Sequence, residues 1–199
     1  MKYIGLFLLL LPITLFAQKN EALTNIFLIE DSEIIILGTS NVIDYTCKLH
    51  DLSNNANIRI SSKVYGHTIK LNNAVVKLKS SGFDCDHKKM TNDFFKAIKG
   101  DEFPEVLVEF HQFTLIHDVS ISPRQYKIPS KISIQLAGVT NYYSPRLSSL
   151  SVKENELTFT GSVKLLMTDF EIDPPTALMG AIKTANEIQI KFRITFKIK

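Results

Sequence analysis

The C-terminal part of the chain alternates strictly between apolar and polar residues over positions 187–198. The apolar phase of this segment consists of Ile188, Ile190, Phe192, Ile194, Phe196 and Ile198. A side-chain period of two places successive residues on opposite faces of a β-strand. We therefore predict one long strand that has a buried face and a solvated face.

Similar alternation recurs along the chain and predicts further strands. These segments are residues 34–39, 41–49, 58–64, 69–78, 106–110, 132–138 and 157–165. The pair Asn72-Asn73 indicates a bend or bulge. Gly138 and Gly161 indicate positions where the sheet curves or where another group comes close, because glycine is otherwise costly inside a strand. Residues 122–129 contain two prolines and no clear period, which predicts a loop.

One segment has the periodicity of a helix. Met90, Phe94 and Ile98 recur on one helical face, Asp84 or Asp86 is the candidate N-terminal cap, and the helix is expected to end at Gly100. We expect the apolar face to pack on the sheet, with direct contact to a ligand as the alternative. About eight strands and one short helix favour an all-β fold, as an antiparallel barrel instead of a sandwich.

Residues 1–17 have the pattern of a secretory signal peptide. Lys2 supplies the positive charge, residues 3–16 form the apolar segment, and Ala17 precedes the expected cleavage site. This apolar segment is shorter than the roughly 20 residues that a membrane-spanning helix needs. We therefore expect an exported domain, residues 18–199, that is periplasmic or secreted and not membrane-anchored. A buried N-terminal helix is the alternative.

The chain carries little net charge and has no basic block. Its formal net charge is +3 at pH 7, and its lysines are spread along the sequence. Recognition of nucleic acid normally requires a concentrated basic surface. We therefore expect no nucleic acid partner.

Cys47 and Cys85 are the two cysteines of the chain. An even number of cysteines in an exported protein permits a disulfide. Closing a loop of about 40 residues would stabilise the fold by roughly 3–4 kcal/mol through the unfolded state. Two buried, unpaired thiols are the alternative, and we expect the disulfide.

The best candidate for a chemical site is the run Asp84, Cys85, Asp86 and His87. Such residues can bind a metal ion or act as acid and base. However, acidic residues at the start of a helix are also explained by capping and by the helix dipole. Asp169, Glu171 and Asp173 alternate and could form paired carboxylates or bind calcium, but a solvated loop face is the simpler interpretation. Because no known catalytic or phosphate-binding motif occurs, we predict no enzyme activity, no catalytic or metal-binding residue and no cofactor.

The segment Met167–Gly180, MTDFEIDPPTALMG, is followed closely by IKTANEIQIKF. This combination resembles the closing hairpin of YceI-like proteins, a bacterial family of lipocalin-like barrels that bind polyisoprenoid lipids. The segments Ile36–Tyr45, Lys99–Phe110 and Ala137–Thr140 resemble other parts of the same family in the same order. Two departures concern the ligand: Tyr45 stands where many members have tryptophan, and Asn141-Tyr142-Tyr143 replaces commoner polar residues.

The resemblance implies a single lipocalin-like β-barrel domain that carries a long apolar lipid, of polyisoprenoid type, in its interior. The predicted lining residues each fall on the apolar phase of their strand and are Tyr45, Phe110, Leu136, Phe159, Leu165 and Phe192. A barrel with a closed core, acting as a structural or protein-interaction module, is the alternative function. The sequence leaves the oligomeric state open, and a homodimer is possible.

Overall fold

The structure, a computed structural model, describes residues 22–28, 32–49, 52, 58–65, 68–114 and 129–198. The predicted signal peptide lies outside the described residues, as does nearly all of the predicted loop at 122–129. One α-helix, α1 (Lys88–Ala97), occurs in the described part. The strands are β1 (Ala22–Leu28), β2 (Glu33–Gly38), β3 (Tyr45–Leu49), β4 (Ile58–Tyr65), β5 (Thr68–Asn72), β6 (Val75–Lys79), β7 (Phe83–Asp84), β8 (Glu105–Thr114), β9 (Ser130–Leu136), β10 (Val139–Tyr143), β11 (Arg146–Lys153), β12 (Glu156–Leu166), β13 (Thr176–Ala177), β14 (Ile182–Lys183) and β15 (Glu187–Ile198).

In several places two strands that follow each other in the chain lie end to end and share one strand position in the sheet. Both β1 and β2 pair with β15, and they pair on their other side with β4 and β3 respectively. In the same way β5 and β6 both pair with β8. Asn73 separates β5 from β6 with a left-handed φ of 60°, which confirms the predicted bend.

In the described part of the chain, nine antiparallel strand positions follow one another in this sheet. Their order is β10, β9, β8, β5 with β6, β4 with β3, β1 with β2, β15, β12 and β11. The two ends of this order, β10 and β11, are consecutive in the chain and separated only by residues 144 and 145. The predicted antiparallel, barrel-like fold of about eight strands with one short helix is thereby confirmed.

The two glycines singled out in the sequence have different roles. Gly161 lies inside β12, where an added Cβ would come within 2.6 Å of the Arg146 carbonyl oxygen and 2.8 Å of the Phe192 ring. Close approach therefore explains this glycine. For Gly138 the prediction of a strand interior is wrong. Ala137 and Gly138, with φ of 51° and 85°, form the two-residue turn between β9 and β10, which requires left-handed residues.

Two other local predictions are also wrong. The predicted strand at 41–49 begins only at Tyr45. The Ser40 hydroxyl donates to the Ile43 carbonyl and accepts from the Ile43 N–H, which closes a turn before the strand. At the helix start, neither aspartate caps α1, and His87 occupies the N-cap position. Asp84 Oδ1 instead accepts hydrogen bonds from the Asp86 N–H and the Thr91 hydroxyl. The predicted end of the helix near Gly100 is confirmed. Gly100 lies just beyond α1, and its N–H donates to the Phe95 carbonyl in the last turn of the helix.

Candidate ligand cavity

The inner faces of the strands enclose a cavity of about 1280 Å³. The size exceeds the ~300–1,000 Å³ of common small-molecule sites. Side chains from β2, β3, β6, β8, β9, β12 and β15 contribute to its wall, and nearly all of them are aliphatic or aromatic. The barrel interior is therefore open and apolar. This result answers the question that composition could not, whether the oily side chains fill the space or surround it.

All six side chains predicted to face the interior lie on the cavity wall. They are Tyr45, Phe110, Leu136, Phe159, Leu165 and Phe192. That position follows from the alternation of each strand, which the barrel preserves. Contact of these residues with a ligand stays a prediction.

Two of these residues, Phe110 and Phe159, belong to a connected group of aromatic rings in the wall. The Phe196 ring lies 6.0 Å from Phe110 and 6.3 Å from Phe159, both in edge-to-face orientation. Phe113 adds a further edge-to-face contact at 5.6 Å from Phe159. Such pairs favour this geometry because the ring edge is positive and the ring face negative. The group gives the cavity wall a continuous aromatic part.

Phe113 was missed by the sequence analysis for a definite reason. The register between β8 and β9 shifts between Phe110 and Gln112, so His111 is an extra residue in β8. An extra residue changes which face the following side chains occupy. Phe113 therefore lines the cavity although strict alternation from Phe110 would place it outside. The sequence contains no signal for this bulge beyond the appearance of Phe113 out of phase.

Tyr45 brings a polar atom to the wall. Burial raises the pKa of the Tyr45 hydroxyl above the ordinary tyrosine value, because the charged form loses its hydration. The ring lies directly over Gly38, where an added Cβ would overlap it. The absence of a side chain at Gly38 therefore leaves the space that the Tyr45 ring occupies.

Helix α1 lies at the end of the barrel where β2, β6, β9 and β12 terminate. Its Met90, Phe94 and Ala97 line the cavity, and Phe94 packs on Phe83 with a centroid distance of 5.4 Å. The helical apolar stripe thus packs on the barrel and also borders the cavity, and its contact with a ligand stays a prediction. The helix covers part of this end.

The charged residues of the lining lie at this same end, whereas Ser62, Gln112 and Ser130 bring polar groups to the lining elsewhere. Because Ile43 and Leu178 line the cavity and are also exposed to solvent, the cavity opens at this end, and we call the opening its mouth. It lies between α1 and the hairpin of β13 and β14. The polar and charged residues that border it are Ser40, His87, Lys89, Asp93, Lys96, Asp173, Thr176 and Thr184. Lys89 and Asp93 form an ion pair at 2.9 Å on α1. The cavity is therefore apolar within and of mixed charge at its mouth.

The candidate chemical residues near α1 have structural contacts. Cys85 is bonded to Cys47, which confirms the predicted disulfide. The bond joins β3 to the segment that leads into α1. The Cys85 N–H donates to the Thr91 hydroxyl, which in turn donates to Asp84. In the described part of the chain, no group of three His, Cys, Asp or Glu residues is close enough to hold a metal ion.

The acidic loop residues are also accounted for individually. Asp169 accepts a hydrogen bond from the Tyr143 hydroxyl, and its backbone carbonyl accepts one from the Asn141 side chain. Glu171 ends a short 3₁₀ turn over Met167–Phe170 in left-handed conformation. Asp173 borders the cavity mouth. These three residues therefore do not converge on one site.

No protein-family model matches the sequence, and no curated protein matches it. Solved structures do share its fold, which is that of a YceI-like, lipocalin-like barrel. A polyisoprenoid-binding domain from Saccharophagus degradans, implicated in plant cell wall breakdown, superposes with a TM-score of 0.56 at 7% identity, covering 90% of this chain and all of its own. BcnA of Burkholderia cenocepacia gives 0.50 at 12% identity over 82% of this chain and 95% of its own.

The YceI protein of Campylobacter jejuni also aligns, with a TM-score of 0.41 at 13% identity over 79% of this chain and 82% of its own. Among the residues that the structure describes, no helix is long and apolar enough to cross a membrane.

Proposed function

We propose that this protein is an exported carrier that binds a long apolar lipid, of the polyisoprenoid type, inside the barrel. The observation that carries the proposal is the apolar cavity of about 1280 Å³. The fold is shared with a domain known to bind polyisoprenoids, and the chain resembles YceI-like proteins in its own motifs. We infer that the site is the cavity wall, including the six predicted residues, and that the ligand is bound and released without chemical change.

The dimensions of the barrel suit a long, thin guest. Strand β12 has 11 residues, which at about 3.3 Å per residue extend roughly 36 Å. A strand tilt near 40° reduces this to a height of roughly 28 Å. An extended chain of some fifteen carbons therefore fits along the axis.

Hydrophobic transfer is sufficient to retain such a ligand. Each buried methylene contributes about 0.8 kcal/mol, so fifteen contribute roughly 12 kcal/mol before costs. Loss of translational freedom and ordering of the chain oppose this by roughly 4 kcal/mol or more. The remainder supports roughly micromolar affinity or better. A charged head group would stay at the mouth, where the cavity lining is polar.

The location proposed is the periplasm or the extracellular space. The signal-peptide pattern of residues 1–17 supports export. The disulfide is compatible with it, because such bonds persist in oxidising compartments.

The test is extraction of the purified protein with organic solvent, followed by mass spectrometry of the extract. We expect a long-chain lipid in amounts comparable to the protein. A delipidated sample should then take up a fluorescent long-chain alcohol from detergent solution, with saturation near one ligand per chain. Clean extracts from several preparations together with no uptake by the delipidated protein would contradict the proposal and favour a module that acts through its surface.

A further inference from the structure

Large apolar side chains are concentrated in two turns at the cavity mouth. Val42 and Ile43 are 66% and 62% exposed, and Leu178 and Met179 are 74% and 109% exposed. The other strongly exposed large apolar residues in the described ranges are Tyr65, Tyr142 and Leu166. We call the four residues Val42, Ile43, Leu178 and Met179 the mouth tips. Four exposed apolar residues at one end of the molecule form a patch, which single scattered residues do not.

The turn that carries Leu178 and Met179 has a backbone conformation that is unfavourable for these residues. Leu178 and Met179 have φ of 50° and 55°, in the left-handed region, and connect β13 to β14 together with Gly180. Turns of this kind favour Asn and Gly, because a larger side chain is strained there. A leucine and a methionine in this conformation therefore incur a cost in strain as well as a cost in exposure. Such costs are typical of functional segments.

Hydrogen bonds connect the two turns that carry the mouth tips. The Asn41 backbone N–H donates to the Lys183 carbonyl at 3.1 Å. The Asn41 side-chain amide donates to the Ala181 carbonyl, and its Oδ1 accepts from the Lys183 N–H, both at 2.8 Å. A bridge between Ser40 and Thr184 completes the connection. The tips therefore form one preorganised surface.

This surface is continuous with the cavity. Ile43 and Leu178 are exposed to solvent and also line the cavity mouth. An apolar guest could thus pass from outside to inside along apolar side chains. Resting on the carrier function proposed above, we infer that the mouth tips insert into the apolar layer of a membrane surface, from which the lipid enters the barrel.

A bilayer suits this surface better than a protein does, because it supplies both an apolar layer for the tips and the lipid cargo for the cavity they border. The charges around the mouth have both signs, with Lys89 paired to Asp93 and Asp173 nearby. Attraction to anionic head groups is therefore not the main force. We expect insertion to depend on apolar area and to persist at high salt, where exposed charges are screened.

The experiment measures flotation of the purified protein with vesicles of neutral phosphatidylcholine, with and without 20% phosphatidylglycerol. The test variant is Val42→Ser with Met179→Ser, which removes apolar surface from both turns, leaves the anchoring bonds of Asn41 and changes neither of the two mouth-tip residues that line the cavity. The control is Tyr142→Ser, whose side chain is 76% exposed on β10. We expect the wild type and the control to float with both vesicle types at low and high salt, and the test variant to lose about tenfold in partition.

Uptake of the fluorescent long-chain alcohol from detergent separates this inference from the proposed function. The double serine variant should load from detergent like the wild type, but several times more slowly from vesicles. Failure of the wild type to float with either vesicle type, or equal flotation and loading by the variant, would overturn membrane insertion while detergent loading still supports the carrier. The tips would then be a contact surface for another protein.

Discussion

The Tyr143 hydroxyl donates a hydrogen bond of 3.0 Å to the Asp169 carboxylate. This contact joins β10 to the segment that leads from β12 towards the cavity mouth. The Tyr143 ring also stacks on Phe170, which is fully buried, at a centroid distance of 6.0 Å. A residue that departs from the commoner YceI-like pattern therefore helps to position the segment that precedes the mouth.

This contact predicts a pH dependence of stability. Burial, then the hydrogen bond and charge of Asp169, raises the pKa of Tyr143 above its ordinary value of 10.0. The folded state thus holds the phenolic proton more tightly than the unfolded chain does. The stabilisation is complete below about pH 10 and declines as the pH rises beyond it.

The measurement is the free energy of unfolding in urea between about pH 9 and pH 11.5, across the ordinary tyrosine value. Wild-type protein should lose stability with increasing pH more steeply than Tyr143→Phe. Tyr142→Phe, which removes the neighbouring exposed hydroxyl, is the matched control and should retain the wild-type slope. Identical slopes for wild type and Tyr143→Phe would show that the folded state does not raise the pKa of the Tyr143 hydroxyl.

The aromatic part of the cavity wall predicts that a charge introduced there weakens lipid binding. Phe110 lines the cavity against Phe196, whereas Glu109 lies on the opposite face of β8. Phe110→Asp would place a carboxylate among apolar side chains, where an apolar guest leaves it without hydration. We expect uptake of the fluorescent alcohol to weaken by about tenfold or more.

Glu109→Ala is the control for this variant and should bind like the wild type. Circular dichroism and the thermal midpoint show whether each variant is folded, and Phe110→Ala supplies a milder change at the same site. Equal affinity of all three variants would place the ligand elsewhere than the barrel interior.

Gly161 is predicted to be intolerant of any side chain. An added Cβ would meet the Arg146 carbonyl at 2.6 Å, and backbone on the adjacent strand cannot withdraw easily. Gly161→Ala should therefore destabilise the fold by about 1–3 kcal/mol in urea unfolding. Ser162→Ala, on the outer face of the same strand, should change the stability by less than about 0.5 kcal/mol. A neutral Gly161→Ala would mean that β11 and β12 separate without cost.

The disulfide predicts a loss of stability on its removal. Cys47 and Cys85 are 38 residues apart, and both are buried. Replacing both by serine should lower the free energy of unfolding by about 3 kcal/mol, because the unfolded chain gains freedom. The reduced wild-type protein should behave similarly. A change below about 1 kcal/mol in both samples would indicate that residual structure in the unfolded chain already restrains this loop.

The sequence by itself determined most of the strands that line the cavity and the inward faces of the regular ones. Alternation in β12 and β15 specified which side chains face the interior, because the period of two is a local property of an extended backbone. All six predicted wall residues lie on the cavity for this reason. The bend at Asn73 and the pairing of the two cysteines also followed from residue type and count.

Only the tertiary structure decided what depends on distances between separate segments. The openness of the interior results from the size of the barrel relative to its side chains, and composition alone is equally consistent with a filled core. The inward position of Phe113 depends on a bulge that pairing with β9 reveals. The exposed Leu178 and Met179 read locally as an ordinary apolar run, and their place at the mouth follows from the bonds of Asn41 across 140 residues of sequence. Local patterns set the faces of the strands, whereas the enclosed space and its mouth arise from contacts between residues far apart in the chain.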